Sequence, residues 1–143
     1  MTVAAILHSK GKRVVTIRPD ATIGAAVTRL RMENIGCLVV SETGDDVCGI
    51  ISERDIVLSI PSHASDLHAR TVAEIMTRSV HTCSPEDKLS AIMTTMTRFR
   101  IRHLPVKQDG KLAGIISIGD VVKRRLEELE LERNVMRDYI SAY

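Results

Sequence analysis

The segment Gly49-Ile50-Ile51-Ser52-Glu53-Arg54-Asp55 recurs later in the chain as Gly114-Ile115-Ile116-Ser117-Ile118-Gly119-Asp120. Each copy joins an apolar run to Ser-x-x-Asp, the pattern of a buried strand that leads directly into a capped helix. Because the chain has only 143 residues, two copies of one unit account for most of it. Two copies are too few for a solenoid. The repetition predicts a pseudo-twofold pair in which each half buries an apolar face of the other.

The similarity between the copies extends upstream. Residues 14–40 align with residues 80–106 without a gap, and residues 2–6 resemble residues 71–75. Eight aligned positions carry identical residues, which in the first copy are Val14, Thr16, Pro19, Ala25, Thr28, Ile35, Leu38 and Val40. Each copy therefore consists of a short leader followed by the same longer unit.

Each longer unit has the pattern of a β-α-β-β-α fold. Short apolar runs predict the strands, and apolar residues at helical spacing predict the helices. In the first copy these are strands over residues 14–17, 36–40 and 47–51, a helix from Ile23 to about Asn34 capped by Thr22, and a helix from about Glu53. In the second copy they are strands over residues 80–83, 103–106 and 112–117, a helix over residues 87–100 and a helix from about Ile118.

The predicted fold class is α/β (α+β), with two repeats packed as a pair and a C-terminal helical extension. The predicted divisions are a first repeat over residues 1–60, a polar linker over 61–70, a second repeat over 71–126 and a helical tail over 127–143.

Composition narrows the classes of function and partner. The net charge of +2 is too small to indicate nucleic acid as the main partner. No apolar run has the length of a membrane span, and residues 1–12 lack the pattern of a signal peptide. Cys37, Cys48 and Cys83 are odd in number and without Cys-x-x-Cys spacing, which is typical of a protein in the reducing cytoplasm.

The ordered set of motifs resembles the CBS domain family, whose domains pair as Bateman modules. The resemblance rests on the two Gly-Ile-Ile-Ser segments, on Thr16-x-x-Pro19 and Thr82-x-x-Pro85, and on residues 102–106, Arg-His-Leu-Pro-Val. No single one of these motifs is specific to the family. Their occurrence twice, in the same order and at matching spacing, is specific. The resemblance implies a regulatory module that senses adenine nucleotides, either AMP, ADP and ATP or NAD(H).

In this family each ligand lies in a cleft between the repeats and contacts both of them. By resemblance, one site combines strand residues of the first repeat with the start of the last helix of the second repeat, namely Thr16, Gly36, Cys37, Leu38, Ser117 and Asp120. The other site combines strand residues of the second repeat with the start of the last helix of the first repeat, namely Thr82, Arg102, His103, Leu104, Pro105, Ser52, Arg54 and Asp55.

Asp55 and Asp120 are the central candidates in these two sites. Each is placed in the first turn of a helix. There a carboxylate can accept hydrogen bonds from ribose hydroxyls, while backbone N–H groups donate to phosphate. The alternative is that Ser-x-x-Asp only caps the helix, and both roles can coexist.

The two predicted sites are unequal. Glu53-Arg54 precedes the first carboxylate, whereas Ile118-Gly119 precedes the second. Arg54 is a candidate phosphate ligand, and Gly119 leaves room for a longer molecule. The hypothesis is that one site takes AMP and the other a larger adenine dinucleotide.

Other constellations carry weaker signals. His81, Cys83 and His103 offer metal-ligand atoms, but a fourth ligand is missing and we predict no metal site. Arg98, Arg100 and Arg102 alternate with only one aromatic residue, too little for a nucleic-acid surface. No catalytic motif is present, so we predict that the chain is not an enzyme.

The tail carries an apolar stripe that needs a partner surface. Its members step by three or four, namely Leu126, Leu129, Arg133, Met136, Ile140 and Tyr143. Two alternatives stay open, packing on its own module or a dimer seam. The resemblance implies a homodimer that signals to a further protein, and the alternative function is a structural adaptor without ligand.

Overall fold

Six helices, five strands and one 3-10 helix form the chain. The structure is a computed structural model that describes residues 1–143. In chain order the elements are α1 (Val3–Lys10), β1 (Thr16–Ile17), α2 (Ile23–Glu33), β2 (Cys37–Val40), β3 (Gly49–Ser52), α3 (Glu53–His63), the 3-10 helix (Leu67–Ala69), α4 (Val72–Ile75), α5 (Leu89–Phe99), β4 (His103–Gln108), β5 (Lys111–Ser117) and α6 (Ile118–Ser141). The order confirms two repeats of mixed helix and strand, each preceded by a leader helix.

The first repeat has a three-stranded sheet with β2 at its centre. β2 runs parallel to β1 and antiparallel to β3, with Leu38 opposite Ile51. All four residues of β2 are buried, because both faces of this short strand are covered. The first strand is shorter than predicted and keeps only Thr16–Ile17 of the predicted residues 14–17.

The predicted strand over residues 80–83 is wrong. The second sheet contains only β4 and β5, and Cys83 makes a single parallel bridge with Val106. Cys83 is the one buried residue of the segment, whereas His81 and Thr82 are exposed. Without a second buried residue, nothing holds the preceding backbone against β4.

Two other boundaries differ from the prediction. Helix α5 begins at Leu89 rather than at residue 87, because the Asp87 carboxylate accepts the Ser84 N–H in the turn before it. The predicted linker is partly helical, since α3 continues to His63 with Pro61 in its last turns. A proline near the end of a helix removes only one backbone hydrogen bond.

The helix ends follow local chemistry, as the sequence predicts. The Thr22 hydroxyl accepts the Ala25 N–H at 3.1 Å and caps α2. Asn34 and Arg100 follow the last residues of α2 and α5 as their C-caps, both in the left-handed conformation with φ of 53°. These two residues are aligned in the repeat, so both copies stop their helices in the same way.

Each repeat has its own hydrophobic core, and each core is completed by the leader of the other repeat. Val3, Ile6 and Leu7 of α1 pack among the second repeat's core residues, which are Cys83, Leu89, Ile92, Met96, Leu104, Val106, Ile116 and Val121. Val72 and Met76, from α4 and the residue after it, pack in the first repeat's core. The halves are joined by this crossing of the leaders.

Backbone hydrogen bonds show that the crossing is pseudo-symmetric. The Val3 N–H donates to the Asp87 carbonyl at 2.9 Å, and the Val72 N–H donates to the Ala21 carbonyl at 2.8 Å. Ala21 and Asp87 are aligned positions of the repeat. Each leader therefore docks at the start of the other repeat's first helix.

The repeated glycine of the two Gly-Ile-Ile-Ser segments makes room for the leaders. A Cβ at Gly114 would lie 2.7 Å from Leu7 Cδ2, and a Cβ at Gly49 would lie 2.7 Å from Met76 Sδ. Both distances are shorter than ordinary van der Waals contact. The absence of a side chain lets the crossed leader lie against β3 or β5.

Helix α6 extends beyond the second repeat. After Arg125, Glu128 and Asn134 are partly buried and the other residues are exposed. The tail therefore does not pack back on its own module, which removes one of the two alternatives for its apolar stripe. None of the helices combines the length and the apolarity that crossing a bilayer requires.

Candidate functional site

The two repeats meet where β2 and β4 begin. A Cβ at Gly36 would lie 3.8 Å from His103 Cε1 and 3.9 Å from Glu53 Oε1, so these three residues surround one point. The Glu53 N–H donates to the Gly36 carbonyl at 3.0 Å, and the Ile118 N–H donates to the Arg102 carbonyl at 2.8 Å. The starts of α3 and α6 are thus held beside the starts of these strands in the same way.

Asp55 lies in the first turn of α3 and is hydrogen-bonded on both carboxylate oxygens. Oδ2 accepts the Ser52 N–H at 2.9 Å, and the Asp55 N–H donates back to Ser52 Oγ at 3.2 Å. Oδ1 accepts the Thr77 hydroxyl at 3.1 Å. Asp55 is therefore a capping residue whose hydrogen-bond donors are all neutral.

Asp120 repeats this arrangement at the start of α6 with one change. Oδ2 accepts the Ser117 N–H at 2.8 Å, and the Asp120 N–H donates to Ser117 Oγ at 3.1 Å. The same Oδ2 also accepts a hydrogen bond from the Lys10 ammonium at 2.7 Å. The capping interpretation of Ser-x-x-Asp is thus confirmed in both copies, and capping leaves Oδ1 of Asp120 without a protein donor.

Burial and nearby charge set the protonation of the cleft. Burial raises the pKa of Asp120, but hydrogen bonds from Lys10 and the Ser117 N–H outweigh it and hold that pKa below its ordinary value. Burial, aided by the Lys10 charge, lowers the pKa of His103. Burial raises the pKa of the Cys37 thiol to about 12. Near neutral pH the cleft therefore holds a carboxylate, an uncharged imidazole and an unreactive thiol.

The remaining predicted site residues differ in exposure. Leu38, Leu104 and Pro105 are fully buried in their strands, so only their backbone can face a ligand. Arg54 and Arg102 are exposed. The exposed arginines precede Asp55 and the start of β4, at the edge of the junction between the repeats.

The structure shows no direct bond between the cross-repeat members of either predicted site. Thr16 is partly buried in β1 and makes no hydrogen bond with Ser117 or Asp120. Thr82 is exposed outside any strand and makes none with Ser52 or Asp55. The cross-repeat combinations stay predictions.

The leader residues that reach the carboxylates could not be found from the sequence. Lys10 contacts Asp120 and Thr77 contacts Asp55, yet neither belongs to a motif. Glu53 beside Gly36 was also missed as a cleft residue. The leaders are recognisable as repeated segments, but nothing in their sequence predicts which repeat they contact.

The cleft at Asp120 is narrow. Its cavity measures about 50 Å³, with a lining made of Ile6, Ser9, Lys10, Asp120, Lys123, Arg124 and Glu127. Pockets that hold small-molecule ligands usually measure roughly 300–1,000 Å³. A larger open groove of about 460 Å³ lies on α2 beside His68, and it contains none of the predicted site residues. Of these two, the cavity at Asp120 is the stronger candidate, because it places a carboxylate and an ammonium at a helix N-terminus, although Asp120 is the only predicted site residue in its lining.

The three residues considered as metal ligands face different neighbours. His81 stacks on Phe99 with ring centroids 4.0 Å apart, and Cys83 Sγ lies 3.9 Å from the Pro105 carbonyl oxygen. His103 faces Gly36. Their ligand atoms do not converge on one point.

Comparison with known families identifies both repeats. The model described as "CBS domain" matches residues 6–62 and residues 72–127. The chain belongs to the CBS domain family. It is a tandem CBS pair, which is a regulatory type of module, and the resemblance inferred from its motifs is confirmed.

Relatives of this CBS pair include proteins of similar extent. The CBS domain-containing protein CBSX3, mitochondrial, of Arabidopsis thaliana is 35% identical over 148 residues, which cover 98% of this chain and 72% of that protein. The crystal structure of the CBS-domain containing protein ATU1752 from Agrobacterium tumefaciens is 41% identical, covers 87% of this chain and 99% of that one, and has a TM-score of 0.84.

A third relative was solved with ligands. It is the CBS domain pair of protein MJ0100 in complex with 5-methylthioadenosine and S-adenosyl-L-methionine. It is 26% identical, covers 90% of this chain and 98% of that one, and has a TM-score of 0.77.

Proposed function

We propose that this CBS pair senses adenine nucleotides, either AMP, ADP and ATP or NAD(H), in clefts where the repeats meet. The observation that carries the proposal is the pair of capped carboxylates, Asp55 and Asp120, at equivalent helix starts beside the strand starts at Gly36 and His103. A carboxylate accepts hydrogen bonds from ribose hydroxyls, and the N–H groups of a helix N-terminus bind phosphate.

The ligand class draws support from the relative solved with 5-methylthioadenosine and S-adenosyl-L-methionine, since both molecules contain adenosine. The exposed Arg54 at the Asp55 cleft offers a bidentate phosphate donor. A Cβ at Gly119, beside Asp120, would meet only Ser117 Oγ, so that side of the cleft is open. AMP in one cleft and a longer adenine dinucleotide in the other fits this asymmetry.

The narrow cavity at Asp120 supports a mechanism of sensing. The cavity at Asp120 is lined by residues of α1 and α6 and measures about 50 Å³, so a nucleotide that enters it would displace these two helices. A ligand shifts a conformational equilibrium by as much as its affinities for the two states differ. The shift at α6 would reach a partner protein through the tail.

Native mass spectrometry followed by calorimetry tests the proposal. Gently purified protein should carry or take up AMP, ADP, ATP or NAD(H), and the ligand should be recovered unchanged because no catalysis is expected. Asp55→Ala and Asp120→Ala should each weaken one class of site by roughly tenfold or more, since the lost bonds are worth roughly 1–3 kcal/mol.

Asp87→Ala is the matched control for these two variants. The Asp87 carboxylate also accepts the N–H of a serine three residues earlier, Ser84, but it belongs to neither predicted site. It should therefore leave nucleotide affinity unchanged. Absence of binding by the wild type across all these nucleotides would refute the sensor function and favour the structural adaptor.

We also propose that the module is a homodimer. Helices α3 and α6 expose apolar side chains, namely Val57, Leu58, Ile60, Ile118, Val122, Leu126 and Leu129. A twofold dimer buries such faces from both copies at once. The three free thiols, Cys37, Cys48 and Cys83, suit action in the reducing cytoplasm.

A further inference from the structure

Lys10 reaches from one leader into the cleft of the second repeat. Its ammonium donates to Asp120 Oδ2 at 2.7 Å and to the Ile115 carbonyl at 3.0 Å. The Lys10 and Asp120 side chains are 35% and 24% exposed, so the ion pair is partly shielded from solvent. Lys10 thus already holds the carboxylate to which the proposed function assigns ribose.

The other leader meets its cleft without a charge. Helix α4 ends at Ile75, and Thr77 pairs with Ile50 through two backbone hydrogen bonds of 2.9 and 3.0 Å. The Thr77 hydroxyl then donates to Asp55. Helix α1 continues to Lys10 instead, and the Lys10 ammonium donates both to the Ile115 carbonyl and to Asp120. It therefore takes the place that the backbone N–H and the hydroxyl of Thr77 have in the other cleft. The two clefts differ in the charge beside their carboxylates.

The Lys10 charge acts on the junction of the repeats. Burial is the main cause that raises the pKa of Cys37, and Lys10 opposes it. Burial is also the main cause that lowers the pKa of His103, and Lys10 adds to it. Cys37 and His103 begin β2 and β4, so the ammonium lies close to both repeats. An ammonium has three N–H donors, and two are used by Asp120 and Ile115.

We propose that Lys10 makes the Asp120 cleft select a phosphorylated ligand over an uncharged nucleoside. Ribose hydroxyls must compete with the ammonium for the carboxylate. A nucleoside leaves the displaced ammonium without an anion in a partly buried cleft, which is unfavourable. A nucleotide supplies a phosphate that accepts from the same ammonium. This inference rests on the proposed binding of adenine nucleotides.

Calorimetry with adenosine and AMP, and with NAD(H) as a longer phosphorylated ligand for the open side of the cleft at Gly119, tests the selection. The variants are Lys10→Met, which keeps the stem but removes the charge, Lys10→Gln, which keeps a donor, and Lys10→Arg, which keeps the charge. Lys12→Met is the matched control, because Lys12 is exposed in the following turn and makes no ion pair. Each protein is also measured in an Asp55→Ala background, which leaves the Asp120 cleft as the binding site.

Lys10→Met and Lys10→Gln should bind AMP about tenfold more weakly and adenosine more tightly than the wild type, as expected for one charge-assisted hydrogen bond. Lys10→Arg and Lys12→Met should retain the preference for AMP. An equal change for adenosine and AMP, or a change confined to the Asp55 cleft, would overturn the inference and make Lys10 a structural link between α1 and β5. A wild type that binds neither adenosine nor AMP would overturn the inference, and one that also fails to bind ADP, ATP and NAD(H) would overturn the proposed function as well.

Discussion

A double-mutant cycle between Leu7 and Gly114 tests the crossing of the leaders. A Cβ at Gly114 would lie 2.7 Å from Leu7 Cδ2 and 3.2 Å from Leu7 Cδ1. Carbon atoms in contact prefer about 3.5–4.0 Å, so Gly114→Ala should force Leu7 to shift. Overpacking of this kind costs roughly 1–3 kcal/mol of unfolding free energy.

Leu7→Ala should destabilise the protein by a different mechanism. Leu7 is 3% exposed within the second repeat's core, so its truncation leaves a cavity and costs roughly 2–5 kcal/mol. In the double variant the methyl group introduced by Gly114→Ala no longer meets the Leu7 side chain and fills part of that cavity. The double variant should therefore be more stable than the sum of the single costs predicts, by roughly 1–3 kcal/mol.

Urea denaturation followed by far-ultraviolet circular dichroism measures these free energies, because the chain has no Trp and only two Tyr for fluorescence. Gly49→Ala is the matched control. Its Cβ would meet Met76 Sδ at 2.7 Å and the Thr77 carbonyl oxygen at 2.8 Å, so its cost should add to that of Leu7→Ala. Additivity of Leu7→Ala and Gly114→Ala within about 0.5 kcal/mol would show that α1 does not pack on β5.

Two further outcomes are expected. Burial and the Lys10 charge lower the pKa of His103, so the unfolded chain binds a proton more readily than the folded protein. Stability should fall as the pH drops below about 6.5, and His103→Gln should flatten the pH dependence of the urea midpoint in that range; an unchanged slope would contradict this. Deleting residues 127–143 should weaken the homodimer in light scattering while nucleotide binding persists, because the tail is largely exposed, contributes only Glu127 to the lining of the Asp120 cavity and contains none of the predicted site residues. A monomer mass for the intact chain at micromolar concentration would refute the dimer, and loss of binding at unchanged mass would assign the tail to the cleft.

Much of the fold was predictable because its signals are local. The apolar run and Ser-x-x-Asp at Ile51 and Asp55 predict a strand that enters a capped helix, and both features are present. The cap at Thr22 was predictable for the same reason. The prediction of a strand over residues 80–83 was wrong, because the sequence does not reveal that only Cys83 of this segment is buried while His81 stacks on Phe99 in solvent.

The candidate site was predictable only in part. Ser117 and Asp120 are neighbours in sequence, so their hydrogen bonds follow from the motif. The approach of Gly36 to His103 was not predicted, because the family resemblance placed these residues in different sites and nothing in either segment encodes the other. The cross-repeat ligand sets depend on that approach and stay predictions.

By itself the sequence determined the pair of repeats, the capped helices and the apolar stripe of α6, because periodicity and capping depend on residues close together in the chain. The tertiary structure alone decided which leader completes which core and which donor meets each carboxylate. Leu7 lies against Gly114 and Lys10 bonds Asp120 because the two halves dock with their leaders crossed. Such contacts join distant segments, where complementary shape and charge leave no pattern in either segment alone.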